Sequence, residues 1–114
     1  MKLPNSKAAV IDRRKLEYYC LNPQHPRGKH KAKLFQAVIG ITRNDVDEFE
    51  NEIRKRIQVE NCQAGEIDRY GKRYILDFLW ERRGKKANIR TTWIIKIDED
   101  FPRLTLLYAT LPST

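Results

Sequence analysis

The chain has two histidines, and both fall within the run His25-Pro26-Arg27-Gly28-Lys29-His30-Lys31. This loop, with its proline and glycine, leads into an apolar-periodic stretch, Ala32 to Ile39, and reads as the start of a helix. A helix start exposes free backbone N–H groups at the positive end of the dipole. Arg27, Lys29 and Lys31 add cations, a combination that attracts phosphate. An imidazole beside a bound phosphodiester can donate or accept a proton near neutral pH. His25 precedes a proline and is expected to move. His30, in the first helical turn, is expected to be held, and catalysis needs held geometry. His30 is therefore the catalytic candidate, with Lys31 supplying charge to the phosphate. His25, Arg27 and Lys29 are candidate contacts to RNA. A solvated basic turn explains the same residues equally well.

A second polar row lies on the stretch Ala87 to Ile97, which alternates as a strand. Ala87, Ile89, Thr91, Trp93, Ile95 and Ile97 share one face, suited to a core. Asn88, Arg90, Thr92, Ile94 and Lys96 share the other, a face expected to lack acidic residues. A guanidinium forks onto phosphate oxygens, and a threonine hydroxyl can bond a phosphate or a 2′-hydroxyl. The preceding turn, with Arg82, Arg83, Lys85 and Lys86, adds cations for RNA. Ordinary solvent-facing polarity is the alternative. On the last strand, alternation groups Tyr108 with Leu104, Leu106 and Thr110, away from Arg103, Thr105, Leu107 and Ala109. Tyr108 then reads as a core or rim aromatic, and it joins the catalytic candidates only if its phenol reaches out at the strand end.

No metal site is predicted. The carboxylates are interleaved with cations, and Asp77 is the sheet's lone interior acid. Neither a P-loop nor a G-x-S-x-G or G-x-G-x-x-G motif is present, so no cofactor is expected.

These groups must be positioned by one small fold. The 114 residues suit a single domain, helical over about 8–60 and sheet over about 62–111. Asp12 can cap a helix from about Arg13 to Leu21, ended by Asn22-Pro23. A second helix spans roughly His30 to Ile39, with Leu34/Val38 and Phe35/Ile39 as its buried pairs and Gly40 as its stop. Thr42 and Asp45 form a capping-box start for a third, in which Val46, Phe49, Ile53 and Ile57 recur at helical spacing. After Asn61 the period becomes two. Turns at Tyr70-Gly71, Glu81 to Lys85 and Asp98 to Pro102 separate four strands. The fold class is α+β: two to three N-terminal helices packed on a four-stranded antiparallel meander.

Twenty-three Lys and Arg against fifteen Asp and Glu give a formal charge of +8. Such an excess draws polyanions, nucleic acid first. No amphipathic membrane helix, transmembrane stretch or signal sequence is read, and no membrane partner is expected. Cys20 and Cys62, without zinc spacing, suit reduced thiols in a cytoplasmic protein.

Leu3-Pro4-Asn5, Ala9 to Asp12, Lys15-Leu16, Leu21-Asn22-Pro23, His25-Pro26, Gly28, Lys31-Ala32 and Phe35 resemble a small bacterial and cyanobacterial domain family of unknown function. Ala87 to Trp93 and Pro102-Arg103-Leu104 are similar to the same family, and only the third helix matches weakly. That family in turn resembles the compact ribonuclease toxins of the barnase, EndoU, colicin and RelE type. The resemblance implies metal-independent attack of a ribose 2′-oxygen on phosphorus, leaving a cyclic phosphate. It implies His30 as base or acid, Arg90 and Lys31 stabilising the phosphorane, and Thr92 positioning it. It also implies RNA as substrate, tRNA or mRNA, and an acidic antitoxin or immunity protein as partner. Two other readings remain: an RNA-binding module without catalysis, and a basic adaptor for an acidic protein.

Overall fold

The computed structural model describes residues 1–112; the last two positions of the expected domain lie outside them. Its α+β architecture is the expected one, with helices first and a four-stranded antiparallel sheet after. Asp12 caps the first helical segment, its carboxylate accepting from the N–H of Arg14 at 2.9 Å. Lys15–Cys20 is wound as a wide π-type turn that buries Leu16 and Cys20. Helix α1 is Lys29–Ile39, and Gly40, at φ 70°, closes it by donating to the carbonyl of Gln36. Its buried positions are Ala32, Phe35, Val38 and Ile39, whereas Leu34 is 41% exposed. Leu34 thus departs from its expected place. The buried stripe runs through Phe35, Val38 and Ile39, so of the two expected pairs Leu34 alone turns outward.

Thr42 and Asp45 make the expected capping box, the Asp45 carboxylate accepting from the Thr42 N–H at 2.9 Å. Helix α2, Val46–Val59, buries Val46, Phe49, Ile53 and Ile57. Its outer face is laced by Arg54 to Glu50 (3.0 Å) and Arg56 to Glu52 (3.2 Å).

The sheet runs β1 (Gln63–Asp68), β2 (Gly71–Arg82), β3 (Lys85–Lys96) and β4 (Arg103–Thr110), in that spatial order. The first turn is Arg69-Tyr70, one residue earlier than expected, because Gly71 already pairs with Asp68. A Cβ on Gly71 would stand 2.1 Å from the carbonyl oxygen of Ile95, so only glycine fits there. The second turn is Arg83-Gly84, both at positive φ, the conformation that matches strand twist in a two-residue hairpin. The N-terminal arm runs beside β4: Val10 donates to the carbonyl of Pro102 and accepts from the N–H of Leu104.

Both helices lie on the sheet face that carries Leu76, Phe78, Trp80, Ile89 and Trp93, and together they form the core. Phe49 stacks on Trp80 and meets Phe35 edge-on. Among the described residues no helix is long and apolar enough to cross a membrane. Cys20 and Cys62 are both buried and unpaired, and burial pushes each thiol upward.

Arg82 ties the layers together. Its guanidinium bonds both oxygens of Glu48 (2.7 and 3.0 Å) and the carbonyl of Gly40 (2.9 Å), where α1 ends. That contact holds the Glu48 carboxyl below its ordinary range. A carboxylate depressed in the folded state stabilises above its unfolded value, and the contribution is lost as pH falls through the folded one. Urea midpoints should therefore drop between about pH 5 and about pH 3. Glu48→Gln should flatten that drop, and an unchanged pH profile in the variant would refute the assignment.

Candidate active site on the open sheet face

With both helices on one side of the sheet, no helix or strand of the described residues covers the opposite face, where Leu111 and Pro112 lie beside Leu79 and Asn88 at the hairpin end. The two-residue turn at Arg83-Gly84 sets the β2–β3 register, which places Asp77 directly opposite Arg90. Asp77 accepts twice from Arg90, Nε to Oδ1 at 2.9 Å and Nη2 to Oδ2 at 2.8 Å. The face therefore holds a carboxylate beside its guanidinium, contrary to the expectation of a row without acid. The bidentate geometry is the strong form of this contact, and Asp77 leaves Nη1 and one Nη2 hydrogen to other acceptors. Both side chains remain partly open to solvent, at 33% for Asp77 and 41% for Arg90.

Tyr108 arrives by a different route. Thr92 pairs with Leu106 but Trp93 with Leu104, so Thr105 is an extra residue, a bulge in β4. One extra residue flips every side chain beyond it. Leu104, Leu107 and Ala109 accordingly face the core, and Leu106 and Tyr108 face outward. This corrects the grouping of Tyr108 with buried leucines. Tyr108 stands opposite Arg90 from the other flank. The Asp77 hydrogen bond and charge first, then the Tyr108 phenol, hold the Arg90 guanidinium above its ordinary value. Thr92 and Thr105 share a hydroxyl–hydroxyl hydrogen bond of 2.7 Å that pins the bulge. Lys86 and Asn88 continue the row toward the hairpin end, and Lys96 is exposed at the other end, opposite Gly71.

The histidine segment does not join this face. Helix α1 packs through Phe35, Val38 and Ile39 in the same core as Ile89 and Trp93, whereas Arg90 alternates to the other side. The sheet thus stands between His30 and Arg90, and the expected common groove is corrected. The reason is elementary: a helix layer covers the apolar face, and alternation sends the polar row away from it. Lys31, Arg27, Lys29 and His25 stay with His30.

The expected difference between the histidines is reversed as well. His25 Nδ1 accepts from the N–H groups of Arg27 and Gly28, each at 3.0 Å, and its ring meets Tyr19 edge-on at 4.7 Å. It is the fixed imidazole, used as a cap, while His30 is exposed. Lys31 lies over the Tyr19 ring at 5.6 Å, and burial lowers the pKa of its ammonium.

Two residues of the basic turn are structural. Arg82 is 6% exposed and fully engaged, and Lys85 Nζ donates to the carbonyl of Ala37 at 3.2 Å. Arg83 and Lys86 remain exposed. Among the described residues no three or more His, Cys, Asp or Glu side chains gather where a metal ion could be held.

The fold has a counterpart among solved structures. A chain of the contact-dependent growth inhibition toxin–immunity protein complex from Klebsiella pneumoniae 342 superposes with a TM-score of 0.60 at 14% identity. The match covers 89% of this chain and 99% of that one. No curated protein matches. A family model described as a domain of unknown function (DUF6883) matches residues 2–111. With its sequence matched almost from end to end, the chain belongs to the DUF6883 family.

Proposed function

We propose that the open sheet face is the active site of an endoribonuclease, the toxin of a toxin–immunity or toxin–antitoxin pair. The observation that carries this reading is the Asp77–Arg90–Tyr108 row, one acid–base pair of groups with a guanidinium between them, on an uncovered face of a strongly basic chain. RNA laid across the face sets a phosphate on the Arg90 hydrogens that Asp77 does not engage. The Asp77 carboxylate takes the proton of the ribose 2′-hydroxyl as the O2′–P bond forms. The P–O5′ bond breaks, and the Tyr108 phenol gives its proton to the departing 5′-oxygen. Products are a 2′,3′-cyclic phosphate and a 5′-hydroxyl, and solvent returns the proton from Asp77 to Tyr108. Arg90 offsets the charge on the phosphorane, and the Thr92–Thr105 hydroxyl pair orients the ribose. Fold likeness to a chain of a toxin–immunity complex supports the toxin reading, and the charge of +8 suits an acidic partner that covers the same face.

The test is purified protein with total RNA in EDTA. Cyclic-phosphate ends are expected from the wild type, and none from Asp77→Asn. His30→Ala is expected to cleave within about threefold of wild type, because His30 lies across the sheet from the phosphate. Salt-dependent RNA binding with no new ends under any condition would instead establish a binding module.

A further inference from the structure

Beside the proposed scissile position the open face carries a cavity of about 360 Å³, which shares with the reaction described above only its Thr92–Thr105 wall. It is framed by two bulges. The extra residue of β4, Thr105, forms one wall with Thr92, and Ile75 forms part of the floor. On the far side, the pairing of β1 with β2 slips between Ala64 and Ile67, which turns Gly65 and Glu66 together toward Arg73. Gly65 lines the hollow where its backbone lies close against Arg73: a Cβ there would stand 3.3 Å from the Arg73 carbonyl oxygen. Arg73 is engaged by Asp68 at 3.0 Å, and Glu66 has no ion-pair partner among the described residues. Glu66, exposed on the edge strand, lines this mostly apolar cavity with a carboxylate that no ion pair among the described residues takes up.

Thr92 lies two residues along β3 from Arg90 on the same face, about 7 Å by strand geometry. That is the reach of one nucleotide, from its phosphate to its base. We infer that this cavity seats the nucleobase next to the cleaved phosphate, and that Glu66 makes it selective for bases bearing an exocyclic amino group. The inference rests on the ribonuclease reading and names the substrate preference of that site. A carboxylate only accepts hydrogen bonds. Guanine, adenine and cytosine each present an amino group to it. Uracil presents one N–H flanked by two carbonyl oxygens, which a carboxylate repels. Apolar contact with Ile75 and the hydroxyls of Thr92 and Thr105 complete the seat.

The experiment is titration of the intact protein with the four nucleoside 3′-monophosphates, followed by amide NMR. The guanosine, adenosine and cytidine compounds are expected to shift Gly65, Glu66, Thr92 and Thr105, with uridine binding roughly tenfold weaker. Glu66→Gln, on an exposed edge strand, should keep the fold and bring the four affinities together. Equal affinities in the wild type, or shifts elsewhere on the surface, would overturn the base seat while leaving RNA cleavage intact. Loss of cleavage from the wild type in EDTA would remove the ribonuclease reading itself, so the two failures are distinguishable.

Discussion

Replacing Arg90 with alanine is expected to reduce RNA cleavage by about a thousandfold while leaving the fold in place. The guanidinium lies between Asp77 and Tyr108 in the row, and in the proposed reaction it meets the charge that develops on phosphorus. Its loss removes stabilisation that exists mainly in the transition state, so the turnover number should fall more than the affinity for RNA. Stability should hardly change. Arg90 and Asp77 are both partly solvated, and exposed pairs of this kind contribute about 0–1 kcal/mol. Arg90→Lys should recover only part of the activity, because an ammonium cannot fork onto two phosphate oxygens. Growth on induced expression gives the same readout in cells: arrest with wild type and His30→Ala, none with Arg90→Ala. Cleavage by Arg90→Ala at the wild-type rate and positions would sink the assignment.

The second large effect is structural. Arg82→Met should destabilise the fold by about 3 kcal/mol, seen as a melting temperature lower by roughly 10–20 °C. Arg82 is nearly buried, yet it lies at the end of a hairpin that sequence reading counts as an RNA contact. Its fork meets Glu48 from α2, and its remaining nitrogen meets the carbonyls of Ile39 (3.4 Å) and Gly40 (2.9 Å) at the end of α1. Methionine fills most of the volume and satisfies none of these groups, so orphaned carbonyls are left at the helix end. The effect should fade below the carboxylate range, where Glu48 is protonated in wild type too. Denaturant unfolding of both proteins at neutral and acidic pH measures this directly. A melting temperature for Arg82→Met within two or three degrees of wild type at neutral pH, about 1 kcal/mol or less, would mean that the arginine is dispensable to the packing.

Local chemistry alone determined much of this protein. The capping box Thr42–Asp45, the stop at Gly40, the Val46–Phe49–Ile53–Ile57 stripe and the switch to period two after Asn61 depend on neighbours a few residues apart, and each is where periodicity and capping place it. The polar face of β3, with Arg90 and Thr92, was legible for the same reason, since alternation is a property of the backbone. Asp77 was legible in principle: a two-residue turn at Arg83-Gly84 fixes its pairing with Arg90, but the turn must be placed to the residue. What only tertiary structure decided is the sidedness. The bulge at Thr105 moves Tyr108 from the core to the open face by one residue's slip, and no local signal marks it. Likewise, nothing near His30 tells which sheet face its helix covers. That choice belongs to the burial of Phe35, Ile39 and Phe49 against Ile89 and Trp93, a contact between segments far apart in the chain. Spacing along a chain governs which side chains share a face, whereas the packing of whole layers governs which faces meet.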